Sequence, residues 1–328
     1  MKNGVYTRVT KEVFDQEYYN LDSYQKNVTK KLSTKEYPVG EGTVIAILIS
    51  KDDLDQVKVA LQSLTFLQGD TNPKHPAPVL IFNEGNLTDA TKEEISLCTD
   101  RPIGFPVVDF SSPVEYSNSD HEEHEKSWDY KFMRFWVTSI WKQPVIQRFD
   151  SVMRIDSDSC FKEVNDFLPN FSNDYLYYHS PFVGLTKNSN IEGLFDFVKS
   201  WMKHNKDSKN PENELLFHYA EASWKSKKTL PAFLTTFELS RISFMQQRDV
   251  VGFQNAVTEK EPHPMLKYLW EDSVLRFLTL SVFASSDRLS TEPIKGYVHK
   301  DRQGCTRVEV EKALLAHNLF DNDEASEK

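Results

Sequence analysis

The sequence predicts an α/β fold, with a Rossmann-like mixed central sheet and helices on both faces. Three observations lead there. Thr43-Val-Ile-Ala-Ile-Leu-Ile49 is a continuous apolar run, the pattern of a strand buried on both faces of a sheet. Asp52 to Leu67 follows with Leu54, Val57, Leu61 and Leu64 at helical spacing. Apolar strand-like and helix-like stretches then keep alternating, which is how β-α-β units read in sequence.

Taken in order, residues 1–40 show no clear period and end in Tyr37-Pro38-Val39-Gly40-Glu41-Gly42, so an N-terminal arm packing on the body is expected. A single domain is expected over 41–320, with a donor-binding half to about 160 and an acceptor half beyond it, then an acidic frayed tail over 321–328. Pro78 to Phe82 reads as the second strand, Thr88 to Cys98 as a helix and Phe105 to Phe110 as a third strand. The acidic segment Ser119 to Glu125 holds His121 and His124 only three apart without a helix signal, so it reads as a solvated loop. Tyr130 to Phe149 reads as an aromatic-rich helix broken at Pro144, leading into a strand from Ser151. Further on come a strand at Tyr175 to His179, an amphipathic helix at Ile191 to His204 and a polar loop at Lys206 to Asn213. Strand-like runs lie between Leu230 and Phe244, and Val250 to Val257 is helical. Leu266 to Phe283 reads as one long helix with Leu269, Leu275, Leu278 and Val282 inward.

Composition narrows the function. A hydrophobic fraction of 39% with 22 Phe, 13 Tyr and 6 Trp supplies a large core. A net charge of −10 argues against a nucleic-acid or anionic-membrane surface, which needs basic patches. Cys98, Cys160 and Cys305 lie far apart with no C-x-x-C spacing, so reduced or buried thiols are expected, and neither a disulfide framework nor a zinc site. No apolar run reaches the roughly 18 residues of a membrane span, and Met1 to Lys35 carries no signal-peptide core, so a cytoplasmic chain is expected unless an anchor precedes it in the secretory lumen. The sequons at Asn27, Asn86 and Asn170 matter only in such a lumen.

The chemistry concentrates at Arg154-Ile-Asp156-Ser157-Asp158, where an apolar strand delivers two carboxylates with one residue between them. In extended backbone, residues i and i+2 share a face, so both carboxylates can meet one Mn²⁺ or Mg²⁺ if strand geometry continues to Asp158. There is no G-x-G-x-x-G after the first strand and no G-x-x-x-x-G-K-[ST], which disfavours a dinucleotide dehydrogenase and a P-loop NTPase. A metal bridging phosphate oxygens remains the way to stabilise a leaving diphosphate. The rivals are a phosphohydrolase with Asp156 as nucleophile and Asp158 as general acid, and a sugar-binding protein without turnover. The phosphohydrolase pattern normally sits on the first strand, followed by Gly and Thr.

Tyr130-Lys-Phe-Met-Arg134-Phe135, Arg154-Ile-Asp-Ser-Asp158, Thr236-Phe-Glu238-Leu239, Trp270-Glu-Asp272 and Ile294-Lys-Gly-Tyr297-Val-His299 occur in this order. From about Asp129 to His299 the chain thereby resembles glycosyltransferase family 15, the fungal α-1,2-mannosyltransferases. The resemblance implies a GT-A fold, a UDP- or GDP-sugar donor, Mn²⁺ or Mg²⁺, a glycan or glycoprotein acceptor, and retention of anomeric configuration. It implies Asp156, Asp158 and His299 as metal ligands, although the family's Glu-Pro-Asp is Asp-Ser-Asp here. Glu238 matches a candidate nucleophile or stabiliser, and Asp272 an acid that accepts a proton from, or orients, the acceptor hydroxyl. Arg134 and Arg154 match basic positions that pair with phosphate or with the aspartates. Within the same motifs Tyr130 and Tyr297 are candidates to stack on base or sugar, although with 13 tyrosines most are packing residues. Thr236 stands where the family has Asn.

Overall fold

The computed structural model describes residues 42–67, 77–110, 128–165, 175–179, 183–186, 191–205, 214–260, 263–290, 294–299 and 305–314. The arm, the Ser119 to Glu125 segment, the 206–213 loop and the acidic tail lie outside these residues.

The chain runs β1 (Thr43–Leu48), α1 (Leu54–Ser63), β2 (Val79–Phe82), α2 (Asp89–Ser96), β3 (Ile103–Gly104), α3 (Trp128–Arg134), β4 (Ser151–Ile155), β5 (Ser159–Phe161), β6 (Tyr177–His179) and β7 (Val183–Thr186). It continues through α4 (Leu194–His204), α5 (Glu214–Lys227), β8 (Leu230–Phe233), β9 (Phe237–Arg241), α6 (Ile242–Met245), α7 (Arg248–Thr258), α8 (Pro264–Tyr268), α9 (Asp272–Phe283), β10 (Leu289–Ser290), β11 (Tyr297–His299) and a last helix, α10, over 307–314. Seven strands form one mixed sheet, as an α/β fold requires, and β5 with β11 and β7 with β8 make two further pairs.

Two compact units interleave along the chain, one comprising 1–109, 153–170 and 294–328, the other 110–152 and 171–293. In the first, β1 pairs parallel with β2 and β2 parallel with β3. Val44 to Ile47 and Val79 to Phe82 are fully buried, which explains why these strands read as unbroken apolar runs instead of alternating ones. Val57 and Leu61 of α1 are equally buried, so the helical spacing marks the core face.

In the second unit β6 pairs antiparallel with β9 and parallel with β10. Every residue of α9 from Val274 to Phe283 is buried, against β8 and α5 among others. Aromatic rings fill the space around it: Trp201 meets Phe253 and Phe283 edge-on, and Phe233 lies 4.9 Å from Phe277.

Three elements depart from expectation. The third strand shrinks to Ile103–Gly104 plus an isolated bridge of Asn83 to Val107, with Pro102 and Pro106, which have no N–H to donate to a ladder, on either side. The helix after Tyr130 changes at Phe135 into a π turn and at Ile140 into a 3₁₀ turn, well before Pro144. The long helix is two, because Leu269 turns into the left-handed region with φ of 51° and Trp270 sends its indole N–H to the Glu192 carbonyl at 2.8 Å. Asp272 therefore opens α9, where a carboxylate meets the positive end of the helix. The helix α5 and strand β7 carry no period strong enough to predict them.

Candidate functional site

All five residues of β4 are buried, and the strand delivers Asp156 at its end. Extended geometry stops there. Ser159 N–H donates to the Asp156 carbonyl at 3.1 Å, closing a tight turn through Ser157 and Asp158. The two carboxylates thus come together through a turn and not through strand alternation. Arg154 Nε donates to Asp156 Oδ1 at 3.0 Å, which fixes one carboxylate from the same strand.

The chain then returns as β5, and β11 pairs antiparallel with it, Tyr297 opposite Phe161, Val298 opposite Cys160 and His299 opposite Ser159. This register brings His299 beside the turn, its Nε2 3.1 Å from Asp158 Oδ1. One ligand atom from each of Asp156, Asp158 and His299 lies within 4.8 Å of the others. Two carboxylate oxygens and one imidazole nitrogen, partly open to solvent, form a donor set that suits Mn²⁺. Among the described residues no other group of three or more His, Cys, Asp or Glu side chains is so placed.

Several contacts hold β11 in register. Gly296 has φ of +61°, and a Cβ there would meet the Glu163 backbone nitrogen at 2.6 Å, so only glycine fits the Gly-Tyr-x-His motif at its first position. Its carbonyl accepts from Lys162 N–H at 3.0 Å. Asn165 grips Lys295 through both ends of its amide, donating to the carbonyl at 2.7 Å and accepting from the N–H at 2.9 Å. The Tyr297 hydroxyl is 2.8 Å from Ser159 Oγ, and its ring packs on Phe161.

The cysteines overturn the expectation of unpaired thiols. Cys160 and Cys305 form a disulfide across 145 residues, which sequence spacing could not show because their meeting depends on tertiary packing, with Val310 of α10 buried beside them. Cys98 is free.

The other predicted residues belong to the second unit. Glu238 on β9 is 1% exposed. Arg276 of α9 grips it with two hydrogen bonds, Nε to Oε2 at 2.9 Å and Nη2 to Oε1 at 3.0 Å, and Tyr177 hydroxyl donates to Oε2 at 2.5 Å. Arg276 also donates to the Trp136 carbonyl at 3.0 Å and lies over the Trp141 ring. Neither Arg276 nor Tyr177 was singled out from sequence. For Arg276 a signal existed: a lone arginine inside the apolar run Val274 to Val282 must have a buried partner. Asp272 accepts from Thr235 Oγ1 at 3.2 Å. Arg134 makes a two-bond ion pair with Glu259, at 3.2 and 2.9 Å, so in this structure a carboxylate meets its guanidinium. Burial pushes the Glu259 carboxyl up, but the hydrogen bonds and charge of Arg134, with Lys142 nearby, hold it below its ordinary value.

The family model described as glycolipid 2-α-mannosyltransferase matches residues 5–318. The chain belongs to that family. The match extends the resemblance read between Asp129 and His299 to nearly the whole chain, and makes it a glycosyltransferase; the phosphohydrolase reading has no support. No curated protein matches it in sequence. Among solved structures, core-mannan synthase A (CmsA/Ktr4) from Aspergillus fumigatus in its Mn/GDP form is 15% identical, with a TM-score of 0.68 over 81% of this chain and 76% of that one. The mannosyltransferase Ktr4p from S. cerevisiae in complex with GDP is 16% identical, with a TM-score of 0.67 over 91% of this chain and 82% of its own. At such identities the likeness shows the fold, and it is the GT-A fold the motifs implied.

Proposed function

We propose that this glycosyltransferase moves mannose from GDP-mannose to a hydroxyl of a glycan or glycoprotein, with retention of configuration and with Mn²⁺ as its metal. The observation that carries the reading is the Asp156, Asp158 and His299 cluster within the family match. The Mn²⁺ and GDP named in the solved structures support the choice of metal and nucleotide. When bound, the metal supplies charge neutralisation of the departing diphosphate.

The protein's own residues divide the remaining work. Asp156, Asp158 and His299 bind the metal, while Arg154 holds Asp156 in place. Tyr297 offers its ring to the donor, and Arg134 is available to phosphate when it exchanges Glu259 for that partner. Asp272 orients the acceptor hydroxyl and takes its proton. Glu238 has both oxygens engaged by Arg276, which supports transfer through a short-lived ion pair with nucleophile and leaving group on one face, in preference to a covalent glycosyl-Glu238. In this scheme Glu238, its charge offset by Arg276, is a stabiliser of the surrounding structure and not the nucleophile.

Among the described residues no helix is long and apolar enough to cross a membrane. The Cys160–Cys305 disulfide supports folding in an oxidising lumen and not in the cytoplasm. Asn86 is exposed in its sequon and would be open to glycosylation there.

Incubation with GDP-mannose, UDP-glucose and UDP-galactose, with and without Mn²⁺ and with a mannoside acceptor, tests the proposal. GDP-mannose alone should be consumed, only with metal, giving an α-linked product by NMR. A β-linked product, or consumption of a UDP-sugar in its place, would overturn the donor or the stereochemistry.

A further inference from the structure

The metal ligand His299 ends a three-residue strand that, among the described residues, pairs with one other three-residue strand, and so short a ladder is marginal by itself. Its entry side is fixed by Asn165, by Gly296 and by the Tyr297–Ser159 contact. The next described residue after His299 is Cys305, and its disulfide returns the chain to Cys160, which lies opposite Val298 in the ladder and two residues after Asp158.

The two sulfurs sit in a small apolar cluster of their own. Cys160 is fully buried and Cys305 is 8% exposed, with Val310 of α10 buried beside them and Val59, Val298 and Leu314 packed around. Lys162, just past β5, reaches Glu309 of α10 at 3.2 Å. The disulfide therefore joins the strand that leaves the acidic turn to the segment that follows the metal-binding histidine.

We infer that the Cys160–Cys305 disulfide is a positioning element of the metal site: it clamps the exit of β11 so that His299 stays within reach of Asp156 and Asp158. Reduction, which adds two electrons and two protons to yield two thiols, frees that exit without removing any ligand. With a water-soluble phosphine as reductant, the phosphine is oxidised to its oxide and takes its oxygen from water. The chain then keeps its two carboxylates and loses the fixed imidazole. The inference rests on the proposed metal assignment.

The test uses the full chain and Mn²⁺ alone, titrated while free Mn²⁺ is followed by electron paramagnetic resonance. Thiol counting should find one free thiol before reduction and three after it, with the reductant removed by gel filtration under inert gas before titration. Reduction should weaken Mn²⁺ binding about tenfold, the range seen when the support of a metal ligand is lost, and reoxidation should restore it. In His299→Ala the affinity should be lower from the start and indifferent to reduction, since the clamp then has no ligand to place. Equal affinity of the oxidised and reduced wild-type chain would overturn the clamp. Equal weakening by reduction in His299→Ala would do the same, because the disulfide would then act through general stability. If circular dichroism shows that reduction unfolds the chain, Cys160→Val with Cys305→Val fills the apolar cluster without the bond. That variant should show the same tenfold loss, and binding as tight as the oxidised wild type overturns the inference. Absence of Mn²⁺ binding in the oxidised wild type would overturn the metal assignment itself and the clamp with it, whereas binding indifferent to redox state removes the clamp alone.

Discussion

Asp156 and Glu238 are both carboxylates delivered by strands, and they differ in what surrounds them. Asp156 stands at a strand end beside a turn, with Asp158 and His299 partly open to solvent and one arginine, Arg154, on one of its oxygens. Glu238 stands inside a strand, 1% exposed, with Arg276 on both oxygens and Tyr177 on one of them. The first arrangement gathers negative charge that a divalent cation can offset. The second has already cancelled its charge internally, and a buried ion pair of this kind is costly to break although it contributes little to net stability. A carboxylate in a motif therefore takes its role from its neighbours, and the two regions should respond differently to the same kind of substitution.

The largest expected difference lies in stability. Arg276→Ala strands the Glu238 carboxylate in the core and should cost roughly 3–5 kcal/mol, as removal of one partner of a buried pair does. Arg276→Met with Glu238→Gln removes both charges and should recover a good part of that loss. Urea unfolding of the single and double variants checks both. If Arg276→Ala loses less than about 1 kcal/mol, as exposed pairs do, then Glu238 is not sealed and the contrast with Asp156 fails.

Asp158→Ala should behave in the opposite way. The turn it leaves is partly exposed, so unfolding should change little, while Mn²⁺ binding should fall by about a hundredfold or more. Calorimetric titration of Mn²⁺, with and without GDP, reads the effect. Unchanged binding would show that the cluster is an acidic turn and no more.

How far these two regions were legible in the sequence follows from the range of the interactions that make them. The strand β1, with its fully buried run, and the helix α1 declared themselves because the signal lies within a dozen residues. Asp156 and Asp158 were visible for the same reason. His299 joins them only through the β5–β11 pairing, and the ordered motifs supplied it where periodicity could not. The Cys160–Cys305 bond leaves no local mark, since nothing in the sequence makes two cysteines 145 residues apart neighbours. Arg276 was legible in principle, as a charge in an apolar helix, but its partner Glu238 lies 38 residues away on another element. The split of Leu266 to Phe283 into α8 and α9 escaped because Leu269, a residue with no turn preference, carries the left-handed bend.

A third carboxylate, Glu259, lies between the two extremes and sharpens the comparison. Its side chain is 16% exposed and that of Arg134 is 13%, against 2% for Glu238 and 4% for Arg276. Water therefore screens the pair in part, and Glu259→Gln should cost about 1–2 kcal/mol, less than the loss of Arg276. The sign with pH is fixed by the lowered carboxyl of Glu259 in the folded chain. A carboxyl held below its unfolded value stabilises the fold fully above that unfolded value, near 4.3 for a free Glu side chain, and the contribution is lost as pH falls through the lower folded value. Wild-type stability should accordingly drop on acidification across that window, and Glu259→Gln should flatten that part of the curve. Urea midpoints measured from pH 7 down to pH 3 decide it: parallel curves for the two proteins would mean that Arg134 does not hold Glu259 ionised.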